Sequence, residues 1–175
     1  SNFLAYRLAR ALGRSEALGL ARFVSAQPRY NLLFREPERE LMPLCMEEGI
    51  GVISYNPLAG GLLAGKHDFS KPPGEGTRFK LGDAGQMYQD RYWHQREFDT
   101  VSDFTRLAAE AGMKPATLAV AWVLHQPAIT APIIGASRPA QLSDSLSATE
   151  VSIEPILMEK LDTLTREYRR GDSER

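Results

Sequence analysis

Apolar residues recur at helical spacing over residues 3–18 (Leu4, Leu8, Ala11, Leu12), which predicts an amphipathic helix, with Asn2 standing where an N-cap belongs. Residues 22–27, bounded by Gly19 and Pro28 and carrying Phe23 and Val24, read as a short buried strand. A loop through Tyr30, Asn31 and Arg35 follows. Pro37 opens a second helical stretch, with Glu36, Glu38 and Glu40 in the first turn to suit the positive end of the helix dipole. Pro43 predicts a late start or a kink there, and Gly49 ends the stretch. Residues 50–55 form a second apolar strand, followed at once by a glycine-rich turn over 57–66. A strand running into a glycine loop is where α/β proteins place ligands.

Residues 67–95 are polar, rich in glycine and marked by Tyr88, Tyr92 and Trp93. The segment is too long for a plain connector and reads as a functional excursion. Helical spacing returns at Phe98, Val101, Phe104, Ala108 and Ala111, stops at Gly112, and resumes after Pro115 through Leu118, Ala121 and Trp122. Residues 129–134 form a third β-rich run ending at Gly135, and Ser137, Arg138 and Pro139 make a cap-like entry to a short helix. A last amphipathic helix, over about 155–168, sets Leu157, Leu161, Leu164 and Tyr168 on one face, and the polar tail after Arg169 is expected to fray. Strands alternating with helices argue for an α/β fold with parallel strands buried on both faces. Three strands can neither close a barrel nor cover both sheet edges, so the architecture reads as incomplete.

The chain has 175 residues, 43% hydrophobic and 25% charged, which suits a soluble globular domain with one core. A net charge of -1 gives no electrostatic case for nucleic acid or an anionic membrane, and Arg7, Arg10 and Arg14 read as a solvated helix face. No apolar run approaches the roughly 20 residues a membrane helix needs. The single cysteine, Cys45, sits among Leu41, Leu44 and Met46 as a small buried hydrophobe, and a reducing, cytoplasmic setting is expected.

The run from Gly60 to Lys66 fits the spacing of a phosphate-cradling P-loop, G-x-x-x-x-G-K. The next residue argues against it. His67 stands where a P-loop needs Ser or Thr to hold magnesium, and neither other strand ends in an Asp for the metal. What is left is a glycine turn with Leu62 and Leu63 packing inward, whose exposed amides and Lys66 could meet a phosphate without metal. His67 and His125 show no metal-ligand spacing, no metal site is expected, and His94 reads as a solvated loop residue.

Four segments, in order, resemble one family. Ser1-Asn2-Phe3 is similar to the aldo-keto reductase segment that ends the fifth barrel strand, and Gln27-Pro28-Arg29-Tyr30-Asn31-Leu32 to the segment after the sixth. Residues 54–66, Ser-Tyr-Asn-Pro-Leu-Ala-Gly-Gly-Leu-Leu-Ala-Gly-Lys, resemble the seventh-strand loop, and residues 133–142 the eighth strand with its helix. The resemblance implies the C-terminal portion of a (β/α)8 TIM barrel spanning residues 1–175, with ligand residues at the C-terminal ends of the strands.

The resemblance also implies NADP(H) as cofactor and an oxidoreductase acting on a small carbonyl compound, an aldehyde or a ketone. Ser1, Asn2 and Gln27 match contacts to the nicotinamide carboxamide, although Asn2 also fits a helix cap. Tyr55 matches the aromatic stacked on the nicotinamide ring. Asn56, Leu58, Gly60 and Gly61 match the loop along the pyrophosphate, with Lys66 and Arg78 supplying positive charge. Gly135, Ser137 and Arg138 match the 2'-phosphate pocket, where a helix start and a guanidinium both suit phosphate, while Ser137 could equally cap the helix. Gln141 and Asp144 match positions near adenine, and Asp144-Ser145 departs from a common Glu-Asn pair. The family's catalytic Asp, Tyr, Lys and His belong to the first half of the barrel, so none is expected here. The chain is then expected to be inactive alone and to self-associate through its open edges. The alternative is a non-catalytic cofactor-binding or regulatory protein derived from the same fold.

Overall fold

The structure is a computed structural model and describes residues 1–136 and 138–172, apart from the side chain at 140. Helix α1 (Ala5–Leu18) buries Leu8, Leu12 and Ser15 and closes on Gly19 in the left-handed conformation, with the Leu20 amide donating back to the Ser15 carbonyl at 2.8 Å. Its N-cap is Leu4, without a side-chain cap. Asn2 is therefore not the cap that its local position suggests. Its φ of 52° turns the chain toward the sheet instead.

Three parallel strands, β1 (Ser25–Ala26), β2 (Gly51–Tyr55) and β3 (Ile129–Ile133), lie in the order β1-β2-β3. Burial on both faces is realised only in part. Val52 and Ser54 of the central strand are enclosed, whereas Phe23 and Val24 lie before β1 and are 52% and 77% exposed. An edge strand has no neighbour on its outer side to enclose them. Pro132 is tolerated in β3 for the same reason, since an edge strand leaves half its ladder unpaired.

Helix α2 (Leu41–Glu47) starts late, as Pro43 predicts, after a separate 3-10 turn at Glu36–Glu38. Together with α1 it covers one part of the sheet through Leu8, Leu12, Leu41, Cys45, Ile50 and Val52. The larger core lies with α4 (Gln95–Glu110), α5 (Pro115–Leu124) and α7 (Pro155–Thr165). There Trp122 stacks on Tyr30 at 5.3 Å, beside Phe104 and Leu161. Helix α6 (Ala140–Leu146) follows β3.

The excursion at 67–95 is not merely loop. It contains helix α3 (Gly82–Tyr92), which turns Gly85, Tyr88 and Tyr92 inward. Within the described part of the polar tail, Arg169 pairs with Glu38 and Asp162, and Asp172 with Arg29. Among the described residues no helix is long and apolar enough to cross a membrane.

Candidate functional site

Parallel strands bring their C-terminal ends, Ala26, Tyr55 and Ile133, to one side of the sheet, and the candidate residues lie on the segments that follow them. The N-terminal segment joins this edge. The Asn2 amide donates to the Gln27 carbonyl at 3.1 Å, Ser1 Oγ donates to Gln27 Oε1 at 2.9 Å, and Asn2 Nδ2 donates to Tyr55 Oη at 2.9 Å. Asn2 Oδ1 accepts from the Arg29 amide at 3.0 Å. Ser1, Asn2, Gln27 and Tyr55 thus form one hydrogen-bonded set, with Ser1, Asn2 and Gln27 exposed and Tyr55 half-buried. Both ends of the Asn2 amide side chain are engaged within the protein.

From sequence Arg29 reads only as a member of the Gln27–Leu32 motif, yet the structure gives it a larger role. Its guanidinium is buried 3.4 Å from the centroid of the Phe34 ring and pairs with Asp172, which ties the C-terminal end to this edge. The signal in the sequence was its place between Pro28 and Tyr30, but no local pattern announces a partner so far along the chain.

Asn56 organises the loop after β2. It adopts φ 64°, a conformation that Asn tolerates better than most residues. Its Oδ1 accepts from the Gly60 amide at 2.7 Å, its Nδ2 donates to Tyr92 Oη at 3.0 Å, and its carbonyl accepts from Asn31 Nδ2 at 3.0 Å. Burial pushes the Tyr92 phenol above its ordinary pKa, so it stays protonated in this network. The Leu58 carbonyl accepts from the Gly61 amide at 2.8 Å and from the Leu63 amide at 3.2 Å. The amides of Gly60 and Gly61 are therefore used internally, contrary to the expectation that they stand exposed for a phosphate.

What these glycines provide is clearance. A Cβ on Gly60 would lie 2.8 Å from Tyr88 Cδ1, so α3 can close against the loop only because none is present. Beside Gly61 the nearest atom to such a Cβ is His67 Nε2, at 3.9 Å. At the end of β3, Gly135 has the same relation to Arg78 Nη2, at 3.7 Å, and the Arg78 guanidinium lies 5.6 Å from the Tyr88 ring centroid. The excursion thus carries Arg78 to the segment after β3. Two positions without a Cβ lie on loops after adjacent strands, each bordered by a nitrogen-bearing side chain.

Lys66 and Arg138 are exposed. Ser137 lies outside the described residues. Gln141 begins the first turn after Pro139, its amide donating to the Arg138 carbonyl at 3.0 Å. Asp144 is paired with Lys114, whose Nζ lies 2.6 Å from its carboxylate. His94 and His125 bond to backbone carbonyls of Asp90 and Ala121, each at 2.8 Å. Among the described residues no group of three or more His, Cys, Asp or Glu side chains is arranged to hold a metal ion.

Residues 1–166 match the aldo/keto reductase family. The chain is similar to an uncharacterized oxidoreductase of Bacillus subtilis, 36% identical over 165 residues that cover 94% of this chain and 47% of that protein. It is also similar to a probable voltage-gated potassium channel subunit beta of Arabidopsis thaliana, 31% identical over 93% of this chain and 50% of the relative. A putative aryl-alcohol dehydrogenase of Schizosaccharomyces pombe is 34% identical over 87% of this chain and 41% of its own length. The chain spans about half the length of the curated relatives it matches.

Proposed function

This chain belongs to the aldo/keto reductase family, and from that premise we propose that it is the cofactor-binding, C-terminal part of an NADP(H)-dependent oxidoreductase of aldehydes or ketones. Family membership and relatives named as oxidoreductases and dehydrogenases support an oxidoreductase role. The observation that carries the cofactor reading is the paired clearance at Gly61 and Gly135, bordered by His67 and Arg78, on the same strand-end edge as the set formed by Ser1, Asn2, Gln27 and Tyr55. In this reading Tyr55 faces the nicotinamide ring, the Asn56–Lys66 loop follows the diphosphate, and Arg138 with the segment after Gly135 meets the 2'-phosphate. The nicotinamide, when bound, supplies hydride chemistry toward a carbonyl carbon. The residues named here bind and orient it, and none is assigned a proton transfer, so the chain alone is proposed to be inactive. Cys45, buried and unpaired, suits a reducing cytoplasmic setting.

Calorimetric titration of the Arg138→Ala variant tests the reading. Hydrogen bonds to charged groups contribute about 1.5 to 3 kcal/mol, so NADPH affinity should fall about 10- to 150-fold and NADH affinity much less. Equal losses for the two cofactors would refute the 2'-phosphate assignment. A second reading, a non-catalytic cofactor-binding or regulatory protein, draws on the relatives named as probable potassium channel beta subunits. The two separate in an assay of NADPH oxidation with a reactive aldehyde after the remaining barrel strands are supplied as a second chain. Turnover supports the oxidoreductase, and cofactor binding without turnover supports the regulatory protein.

A further inference from the structure

We propose that His67 is a ligand of the cofactor's diphosphate, donating from its imidazole to a phosphate oxygen seated against Gly61; this rests on the cofactor reading above.

The argument begins with what the glycine loop cannot offer. An anion beside residues 59–61 needs donors, and the amides of Ala59, Gly60 and Gly61 already donate to Asn56 O, Asn56 Oδ1 and Leu58 O. Side chains are then the natural source of further donors. Gly61 keeps an open face, and the nearest atom bordering it is His67 Nε2, 3.9 Å from where a Cβ would stand. A phosphate oxygen on that face lies within reach of the imidazole, whereas any larger residue at 61 would fill the space.

The ring is also held in place. It meets Phe79 edge-on at 5.1 Å and 82°, and Trp93 at 5.4 Å and 75°. Phe79 in turn packs against Gly60 and Trp93 against Phe98, so the imidazole is braced by the same aromatic cluster that closes the loop. Its ring nitrogens have no hydrogen-bond partner among the described residues, unlike those of His94 and His125. Burial holds its pKa below the ordinary range, so near neutral pH the unliganded ring is neutral and presents one N–H donor. Fixed by packing, and with no internal bond among the described residues, it gives up little freedom on meeting an anion. Lys66 beside it in sequence and Arg78 at Gly135 supply the net positive charge that a neutral ring lacks.

The competing role for His67 is a wall of the aromatic cluster, which phenylalanine would fill equally well. His67→Phe keeps that wall and removes the donor. The variant and the parent chain are titrated with NADPH, with inorganic pyrophosphate, and with adenosine 2'-monophosphate, which has no diphosphate. Loss of a hydrogen bond to a charged group should weaken NADPH and pyrophosphate binding on the order of 10-fold or more, with adenosine 2'-monophosphate unchanged. Undiminished NADPH affinity in His67→Phe overturns the His67 assignment alone. Failure of the parent chain to bind NADPH overturns the cofactor reading and this inference with it. A measurement on the parent chain needs no variant: with three histidines in the sequence, the imidazole NMR signals can be followed one by one. Pyrophosphate should move those of His67 and leave those of His94 and His125 in place, and a still His67 signal at saturating pyrophosphate overturns the proposal.

Discussion

Arg35→Met should be among the most destabilising single changes in this chain. The arginine is 1% exposed, and its guanidinium makes five hydrogen bonds, to both Glu38 carboxylate oxygens, to Asp162 Oδ1 and its carbonyl, and to Thr165 Oγ1. It also lies 5.1 Å from the Trp122 ring centroid. Methionine retains the packing of the stem and removes every bond, and breaking a buried ion pair from one side costs about 3 to 5 kcal/mol. The lower end applies. Glu38 keeps Tyr30 Oη at 2.7 Å and Arg169 Nε at 2.8 Å, and Asp162 keeps Arg169 Nη2 at 3.2 Å. A loss of about 3 kcal/mol corresponds to a fall in Tm of about 6 to 12 °C for a chain of this size. Acidity should shrink it. Burial works to raise the Asp162 pKa, but the hydrogen bond and charge of Arg35, with the charges of Arg169 and Arg166, outweigh it and hold the group below the usual carboxylate range. A carboxylate depressed in the folded state stabilises above its unfolded pKa of about 3.9 and loses that contribution as pH falls through its folded value. Urea unfolding followed by circular dichroism at about pH 7 and about pH 3.5 should therefore show the gap between parent and variant narrowing in acid. A loss under about 1 kcal/mol at neutral pH, or a gap that does not narrow, would refute the reasoning.

Gly60→Ala should cost about 1 to 3 kcal/mol, since φ is 72° and the new Cβ would fall 2.8 Å from Tyr88 Cδ1; thermal unfolding measures it, and an unchanged Tm would show that α3 can move aside. The chain should self-associate at its uncovered edge, where Phe23 and Val24 stand exposed beside β1, and Val24→Glu should shift sedimentation toward the monomer. A parent chain already monomeric at high concentration would contradict this.

Helices whose apolar period ran unbroken to a glycine or proline were legible from sequence. Helix α4 ends just before Gly112 and α5 begins at Pro115, where backbone chemistry leaves little choice. Helix α3 was hidden, because Gly82 and Gly85 lower helix propensity and only Gly85, Tyr88 and Tyr92 mark its inner face. Its glycine at 85 answers a tertiary demand, a Cβ there falling 2.8 Å from the Phe79 carbonyl oxygen. The burial of Phe23 and Val24 was misread for a related reason: apolar content announces a strand, but not whether a neighbour will cover it. Asn2 shows the same limit, since a good capping residue is drawn instead into bonds with Tyr55 and Arg29.

The glycine loop carries the lesson furthest into function. A run of glycines after a strand reads as a cradle of free amides, yet Asn56 and Leu58 take the amides of Gly60 and Gly61 from within. Once those donors are spent, the glycines matter for the atoms they lack, and in the proposed reading an anion would be met by whichever side chains border the vacant Cβ positions. Those side chains are His67 and Arg78, and both come from the 67–95 excursion. Their convergence depends on Phe79, Tyr88 and Trp93 packing the excursion against the loop. Disrupting that aromatic cluster should therefore weaken anion binding even where every basic residue is retained, which separates a site built by packing from one built by charge alone.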